Sequence, residues 1–194
     1  MAYLAKEERR ESIFKAVLGV VAQKGFGGIT ARGVAAELGA ATGIIHHHFD
    51  SLTDLKCSSL LYAAQQDLEA NDLIVAELPI ADALLQVLDW RKVPNSSSIT
   101  RIWISAADEA TRSAEFDAAY GKAVNDFHAQ LSGYIRKGIK SGDLKPQIDP
   151  DFMAWKFVAL SAGLSEFLAS DHIDVTGDLV SHIIQQELQV SLGI

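Results

Sequence analysis

Proline is scarce in this chain, which leaves long segments free to form helices. Only four prolines occur among 194 residues, at Pro79, Pro94, Pro146 and Pro150. A proline inside a helix removes a backbone hydrogen bond and clashes with the preceding turn, so this chain has few forced breaks. No useful run of alternating β-branched residues and no hairpin dipeptide between strand-like segments occurs. The sequence therefore predicts an all-α fold.

Apolar residues recur at helical spacing and divide the chain into about nine helices. In the first, Ile13, Val17 and Val20 share a face, and Gly25 ends the helix. Thr30, Thr42, Ser51 and Asp149 stand where helix caps are expected. The predicted helices span about 7–24, 30–38, 42–48, 51–78, 80–91, 98–112, 114–141, 150–169 and 174–191, with loops at 92–98 and 141–150.

The composition is that of a globular protein with a sizeable core, since 48% of residues are apolar and 22% are charged. The single cysteine, Cys57, excludes an intrachain disulfide framework. No apolar run approaches the roughly 18 residues of a membrane span, and the N-terminus lacks the apolar core of a signal peptide. We therefore expect a cytoplasmic protein without a membrane segment.

Charge is distributed unevenly along the chain. The net charge is −8, but residues 1–50 hold six Lys and Arg against five Asp and Glu, a net of +1. The remaining residues, with 11 bases against 20 acids, carry −9. An acidic bulk with a slightly basic head is compatible with nucleic-acid binding at the N-terminal end only.

The segment Thr30–Phe49, TARGVAAELGAATGIIHHHF, has the pattern of a helix-turn-helix. Such a motif needs two short helices that touch through small residues, and Ala35 supplies one. Gly39 allows the positive φ of the turn, and the inward apolar positions hold Val34, Leu38 and Ile45. A second helix starting at Thr42 would enter the major groove. An ordinary helical hairpin in a bundle is the alternative on this segment alone.

From Glu7 to Leu55 the chain resembles the DNA-binding domain of the TetR family. The resemblance rests on Gly25-Phe26, Thr30, Val34-Ala35, Leu38-Gly39, Thr42-Gly43, His47-His48-Phe49, Ser51 and Leu55. It implies a DNA-binding domain at residues 1–50 and a ligand-binding and dimerisation domain at residues 51–194. The stretch from Trp103 to Phe167 is similar, more loosely, to the choline-regulator (BetI-like) branch. The function implied is a repressor that binds a palindromic operator as a dimer and is released by a small molecule.

Eight residues are candidates for contact with double-stranded operator DNA: Thr30, Arg32, Ala41, Thr42, Gly43, His46, His47 and Lys56. The chain departs from the family where phosphate contacts are usual. Ala41 and Thr42 replace a serine and a lysine, His46 replaces a tyrosine, and Leu52 replaces a lysine. Phosphate contacts supply much of DNA affinity. Binding is therefore either weak and salt-sensitive or restored by His46, His47, Lys56 and the bases of the first helix.

The three consecutive histidines do not predict a metal site. Neighbouring residues on a helix point about 100° apart, so His46, His47 and His48 cannot all bind one ion. His46 and Asp50 could form half a site, but no further ligand completes it. We predict neither a metal nor a cofactor.

The rest of the chain offers candidate sites for a partner and an effector. The helices at about 150–169 and 174–191 are apolar on more than one face, which by family analogy predicts the homodimer interface. Candidate effector contacts are Tyr62, Trp103, Phe116, Tyr120, Phe127 and Glu166. Aromatic residues at helical spacing are more often core, and Glu166, inside an apolar helix, is either exposed or paired with a cation.

Two other functions bear on the same sequence. An enzyme is not indicated, because the chain has no GxSxG, no glycine-rich phosphate loop, no HExxH and no Cys/His nucleophile pair. A helical protein that binds a small molecule but has lost DNA binding remains the alternative, given the departures at Ala41, His46 and Leu52.

Overall fold

The computed structural model describes residues 2–92 and 96–194, and these ranges are all-helical, as predicted. Two single-turn 3₁₀ helices, Phe26–Gly28 and Trp90–Lys92, accompany the α-helices. The α-helices are α1 Ala2–Lys24, α2 Ala31–Glu37, α3 Gly43–His48, α4 Leu52–Glu77, α5 Ile80–Leu88, α6 Ser96–Ala110, α7 Ala114–Ser141, α8 Pro150–Leu168 and α9 Gly177–Leu192. Within the described ranges no helix is both long and apolar enough to cross a bilayer.

The helix boundaries predicted around the end of α5 differ from those in the structure. This helix stops at Leu88 rather than near residue 91, because the carboxylate of Asp89 is fully buried beside Arg91. Arg91 donates twice to that carboxylate at 2.8 Å, and the Ser181 hydroxyl of α9 donates to it at 2.7 Å. The loop predicted at residues 92–98 is partly helical, since α6 begins at Ser96, and residues 93–95 lie outside the described ranges.

The chain forms two compact units. The first comprises residues 1–65 and 101–123, and the second comprises residues 66–100 and 124–194. Helices α4, α6 and α7 therefore contribute residues to both units. The division predicted at residue 50 separates functions rather than compact units, and it stays a prediction.

The core of the first unit supports the segment that resembles a helix-turn-helix. One face of α1 is buried there, and so are the inward residues of α2 and α3. Phe26 is completely buried, with its ring centroid 4.9 Å from that of Phe116 in α7. The buried residues of the three helices are Ile13, Ala16, Val17, Val20, Val21, Val34, Ala35 and Ile45. The short helices are thus held on a hydrophobic base rather than standing alone.

The core of the second unit is built from α5, α7, α8 and α9. Its fully buried large side chains are Leu84, Leu88, Leu131, Ile135, Phe157 and Ile184. Helix α8 also leaves apolar rings exposed, with Phe152 63% and Trp155 45% accessible. This helix therefore buries one side in the unit and keeps a second apolar side uncovered within it.

Candidate nucleic-acid interface

The turn between α2 and α3 has the geometry that the sequence predicts. Gly39 has a φ of 68°, in the left-handed region that glycine occupies without strain. The amide of Ala40 donates to the carbonyl of Ala35 at 2.9 Å. The Ala35 side chain is buried, so a larger residue would separate the packed helices. The glycine turn and the close helix contact are confirmed.

Only one of the two predicted threonine caps is formed. The Thr30 hydroxyl accepts a hydrogen bond from the Gly33 amide at 3.0 Å and so caps α2. Thr42 precedes α3, but its side chain makes no capping hydrogen bond. Its backbone is already helical, with φ −57° and ψ −30°, whereas a capping residue has an extended backbone. The prediction that Thr42 caps α3 is therefore wrong.

The connection from α3 into α4 is fixed by two hydrogen bonds that both involve Asp54. The Ser51 hydroxyl accepts from the Asp54 amide at 2.9 Å, as predicted for a capping residue. The Asp54 carboxylate accepts from the Asp50 amide at 3.1 Å. Phe49 is buried next to this cap and anchors the end of α3 in the core. The orientation of α3 is thus set at its C-terminal end.

Most of the predicted DNA contacts lie on an exposed surface of α2, the turn and α3. Thr42 is half-buried, and the exposed ones are Thr30, Arg32, Ala41, Gly43, His46 and His47. Ile45, on the opposite side of α3, is buried. The structure therefore presents α3 with one face packed and the other free, the arrangement by which a recognition helix enters a groove.

Lys56 does not belong to that surface, which corrects the prediction for this residue. Its Nζ lies 2.6 Å from Oε1 of Glu109 in α6. Only 13% of the Lys56 side chain and 11% of the Glu109 side chain are exposed. A buried charge cannot leave its partner without a large loss of free energy. The ammonium is therefore committed to holding α4 against α6.

Arg10 of α1 contacts the C-terminal end of α3, which the sequence did not reveal directly. Its Nη1 donates to the carbonyl oxygen of His48 at 2.9 Å, and its guanidinium carbon lies 4.6 Å from the Phe49 ring centroid. The available signal was a base on an apolar stripe, because Arg10, Ile13 and Val17 are spaced at helical intervals on one face. An arginine on the apolar face of a helix indicates a hydrogen-bond acceptor or a ring on the helix packed against that face.

His48 is half-buried, and its environment disfavours the protonated ring. Its Nδ1 is buried and has no hydrogen-bond partner among the described residues. Burial lowers the pKa of His48, and the positive charges of His47, Lys6, Arg10 and Arg9 lower it further. The neutral imidazole is therefore the form that fits this end of α3.

Helix α6 is attached to the first unit through polar contacts that no local pattern predicts. The Ser105 hydroxyl accepts from the Phe26 amide at 2.6 Å. The Arg101 guanidinium donates to the Ala22 carbonyl at 3.4 Å. Gly25 lies beside Ser105 with a φ of 70°, and a Cβ there would come within 2.7 Å of the hydroxyl oxygen. Only glycine suits both the conformation and the close approach.

The predicted effector residues are divided between the two units. Tyr62 stacks on Phe14 of α1 with ring centroids 4.9 Å apart, and Phe116 is a core residue against Phe26. Both residues therefore pack in the first unit, and their contact with an effector stays a prediction. The others in the first unit, Trp103 and Tyr120, are half-buried against its core, and burial raises the pKa of Tyr120.

In the second unit, Phe127 is half-buried against the core, whereas Glu166 is exposed on α8. Exposure is the first of the two alternatives given for Glu166, so its carboxylate does not need a buried cation, and its contact with an effector stays a prediction. Across residues 2–92 and 96–194, no group of three or more His, Cys, Asp or Glu side chains is placed to hold a metal ion.

Comparison with known proteins agrees with the geometry of the first unit. Residues 13–55 match the family model described as bacterial regulatory proteins, tetR family, which covers the part from the middle of α1 to the start of α4. Over 188 residues the chain is 26% identical to the HTH-type transcriptional regulator PksA of Bacillus subtilis (strain 168). This alignment covers 94% of the chain and 89% of the relative.

Two solved structures share the fold over nearly the whole chain. A protein from Rhodococcus sp., named as a TetR-family transcriptional regulator, superposes with a TM-score of 0.86 at 19% identity, covering 96% of this chain and 99% of the other. A transcriptional regulator from Saccharomonospora viridis, in complex with choline, gives 0.81 at 19% identity, with coverage of 96% and 98%. At such identities the likeness concerns the fold.

Proposed function

We propose that the chain is a transcriptional regulator of the TetR family, and that it acts as a ligand-responsive repressor that binds a palindromic operator as a homodimer. In this proposal residues 1–50 bind the DNA, and residues 51–194 bind the effector and the second subunit. A cytoplasmic location, where operator DNA is accessible, is part of the proposal.

The observation that carries the proposal is the free face of α3. His46 and His47 are exposed there, while Ile45 is buried against the first unit's core. Thr30, Arg32 and Gly43 are exposed on the neighbouring surface of α2 and α3. A short helix that is rigidly backed on one side and free on the other is suited to reading base edges. Thr42 and Ala41, at the start of α3, are proposed to approach the groove first.

The uncovered side of α8 supports the homodimer. Phe152, Trp155 and Phe167 are each about half exposed or more, at 63%, 45% and 47%. In α9, Leu179 and Val190 are also exposed. Large apolar rings exposed along one helix indicate a surface that another protein covers. A two-fold dimer through α8 and α9 suits a palindromic operator whose half-sites lie about 34 Å apart, one turn of DNA.

We assign the effector to the parts of α6 and α7 that lie in the first unit, with Trp103 and Tyr120 as the proposed contacts. The similar structure from Saccharomonospora viridis contains choline, which makes choline the first compound to test. An effector that binds better to a dimer with a different spacing of its α3 helices would lower the DNA-bound population. Release from the DNA would depend entirely on this difference in the effector's affinity for the two conformations.

The test is binding of the purified chain to the DNA flanking its own gene and to unrelated DNA, across a salt series. Saturable binding with a preference for the flanking DNA at near-physiological salt is expected. His47→Ala and Thr42→Ala should weaken it, whereas His172→Ala, an exposed histidine of the second unit, should not. Absence of any preference at every salt concentration would favour the alternative, a helical ligand-binding protein without DNA binding.

A further inference from the structure

The charges at the start of α1 are segregated to opposite sides of the helix. Successive residues turn by about 100°, so three bases fall within a sector of about 100°, and three acids fall within a sector centred about 150° away. The bases are Lys6, Arg9 and Arg10, and the acids are Glu7, Glu8 and Glu11. A mixed charge run in the sequence is therefore a basic face and an acidic face in the folded helix.

The basic face continues the buried face of α1. By the same helical count, Ile13, Val17 and Val20 lie in the sector that holds the three bases. These apolar residues are buried in the core shared with α2 and α3. The bases therefore extend beyond the core on the side of α1 that faces the helix-turn-helix.

A direct contact of Arg10 places the basic face beside the end of α3. Arg10 donates to the His48 carbonyl oxygen at 2.9 Å, which fixes the start of α1 against this helix. The charges of Lys6 and Arg9 act on His48 as well. Lys6 and Arg9 are themselves exposed, and so are His46 and His47 on the free face of α3.

The acidic face does not neutralise this cluster. Glu11 pairs with Lys15 on its own side of α1, with Nζ and Oε1 2.6 Å apart. Near α3, the Asp54 carboxylate is occupied by the Asp50 amide and the Ser58 hydroxyl. Neighbouring positive charges repel one another, and a bound anion would reduce that repulsion.

We propose that Lys6 and Arg9 form a binding site for DNA backbone phosphate, next to the groove that α3 enters. The proposal rests on the DNA-binding function proposed above. In it, Arg10 is a positioning residue, because its guanidinium is committed to His48 and Phe49. The site supplies from α1 the phosphate contacts that Leu52 in α4 and Ala41 before α3 do not provide.

The experiment compares the double variant Lys6→Ala/Arg9→Ala with the wild-type chain on two duplexes, the DNA flanking its gene and an unrelated sequence. Phosphate contacts carry no sequence information, so both affinities should fall by the same factor. The expected loss at about 0.1 M salt is on the order of tenfold for each contact removed. The slope of log affinity against log salt should become shallower by about 0.9 per contact.

Two variants of the same helix are the controls. Lys24→Ala removes an exposed lysine about 27 Å further along α1, and Glu8→Gln alters the acidic face. Neither should make the salt slope shallower. All four proteins should show the same helical content and melting temperature, since the substituted side chains are exposed.

The outcomes separate this inference from the proposed function. If the wild-type chain binds no duplex at any salt concentration, the DNA-binding function fails, and the phosphate site fails with it. If the wild-type chain binds but Lys6→Ala/Arg9→Ala keeps its affinity and salt slope, only the phosphate site is overturned. A loss confined to the flanking DNA would also overturn it, because that result assigns the bases to sequence reading.

Discussion

Lys56 and Glu109 form a largely buried ion pair. Single and double substitutions can measure how much this pair contributes to the stability of the first unit. Lys56→Met leaves the Glu109 carboxylate buried without its partner. We expect the free energy of unfolding to fall by about 3–5 kcal/mol, the usual cost of breaking a buried pair from one side. Urea denaturation followed by circular dichroism measures this change.

Replacing both partners separates the pair from the cost of an orphaned charge. In Lys56→Met/Glu109→Leu no charge remains, so most of the lost stability should return. Lys15→Met is the matched control, because Lys15 and Glu11 form an exposed pair on α1 and should contribute nothing measurable. Equal effects of Lys15→Met and Lys56→Met would show that burial is not what makes the Lys56–Glu109 contact strong.

His48 makes the stability of the first unit depend on pH. Its pKa is lowered in the folded chain, so the unfolded chain takes up a proton that the folded chain resists. The folded chain therefore has the full stability that the neutral His48 provides above the ordinary histidine pKa of about 6.5. That stability is lost as the pH falls through the lowered pKa of the folded chain. Unfolding free energy should therefore decline less on acidification in His48→Gln than in the wild-type chain.

The matching measurement uses urea titrations at several pH values for the wild-type chain, His48→Gln and His48→Leu. Both substitutions remove the titration, although they differ in how they pack beside Arg10 and Phe49. They should consequently agree in pH dependence even if their stabilities differ. A wild-type pH profile retained by both variants would contradict the assignment to His48.

The helices α2 and α3 differ in how their first turns are stabilised, and this gives a prediction at the scale of the element. Thr30→Ala removes the hydrogen bond to the Gly33 amide and should destabilise the unit by about 1 kcal/mol. Thr30→Ser keeps a hydroxyl and should restore most of it. Thr42→Ala should change stability little, because the Thr42 side chain caps nothing.

This contrast also makes Thr42→Ala an informative DNA-binding variant. A loss of affinity without a loss of melting temperature would place Thr42 at the DNA surface rather than in the scaffold. If Thr42→Ala unfolds the chain as readily as Thr30→Ala does, the side chain has a structural role that the absent capping bond does not explain.

The elements themselves were predictable because their signals are local. Capping residues, glycine stops and apolar periodicity lie within a few residues of each helix end, and α7 begins and ends where they indicate, at Ala114 and Ser141. The end of α5 was missed because one partner of the buried Asp89 carboxylate is Ser181, 92 residues further along the chain. The same limit hid the contact between Lys56 and Glu109, which are 53 residues apart. Pairs so distant leave no spacing in the sequence to recognise.

The candidate DNA surface was more predictable than the effector residues for a related reason. Helix-turn-helix geometry fixes exposure through small residues and a turn, so Gly39 and Ala35 already determine which side of α3 is free. An aromatic residue at helical spacing carries no such information. The sequence favours a core position for Tyr62 and Phe116 without excluding a pocket, and their contacts with Phe14 and Phe26 form only in the folded chain.

At the scale of the whole molecule, operator binding should require two copies joined through α8 and α9. Phe152→Arg places a charge on the most exposed ring of α8 and should convert the dimer into a monomer. A monomer engages a single half-site, so affinity for the flanking DNA should fall while helical content stays unchanged. Leu73→Arg is the matched control, since Leu73 is 68% exposed on α4 rather than on the proposed interface. Light scattering after gel filtration reports the mass, and a dimer that survives Phe152→Arg but dissociates in Leu73→Arg would move the interface to α4.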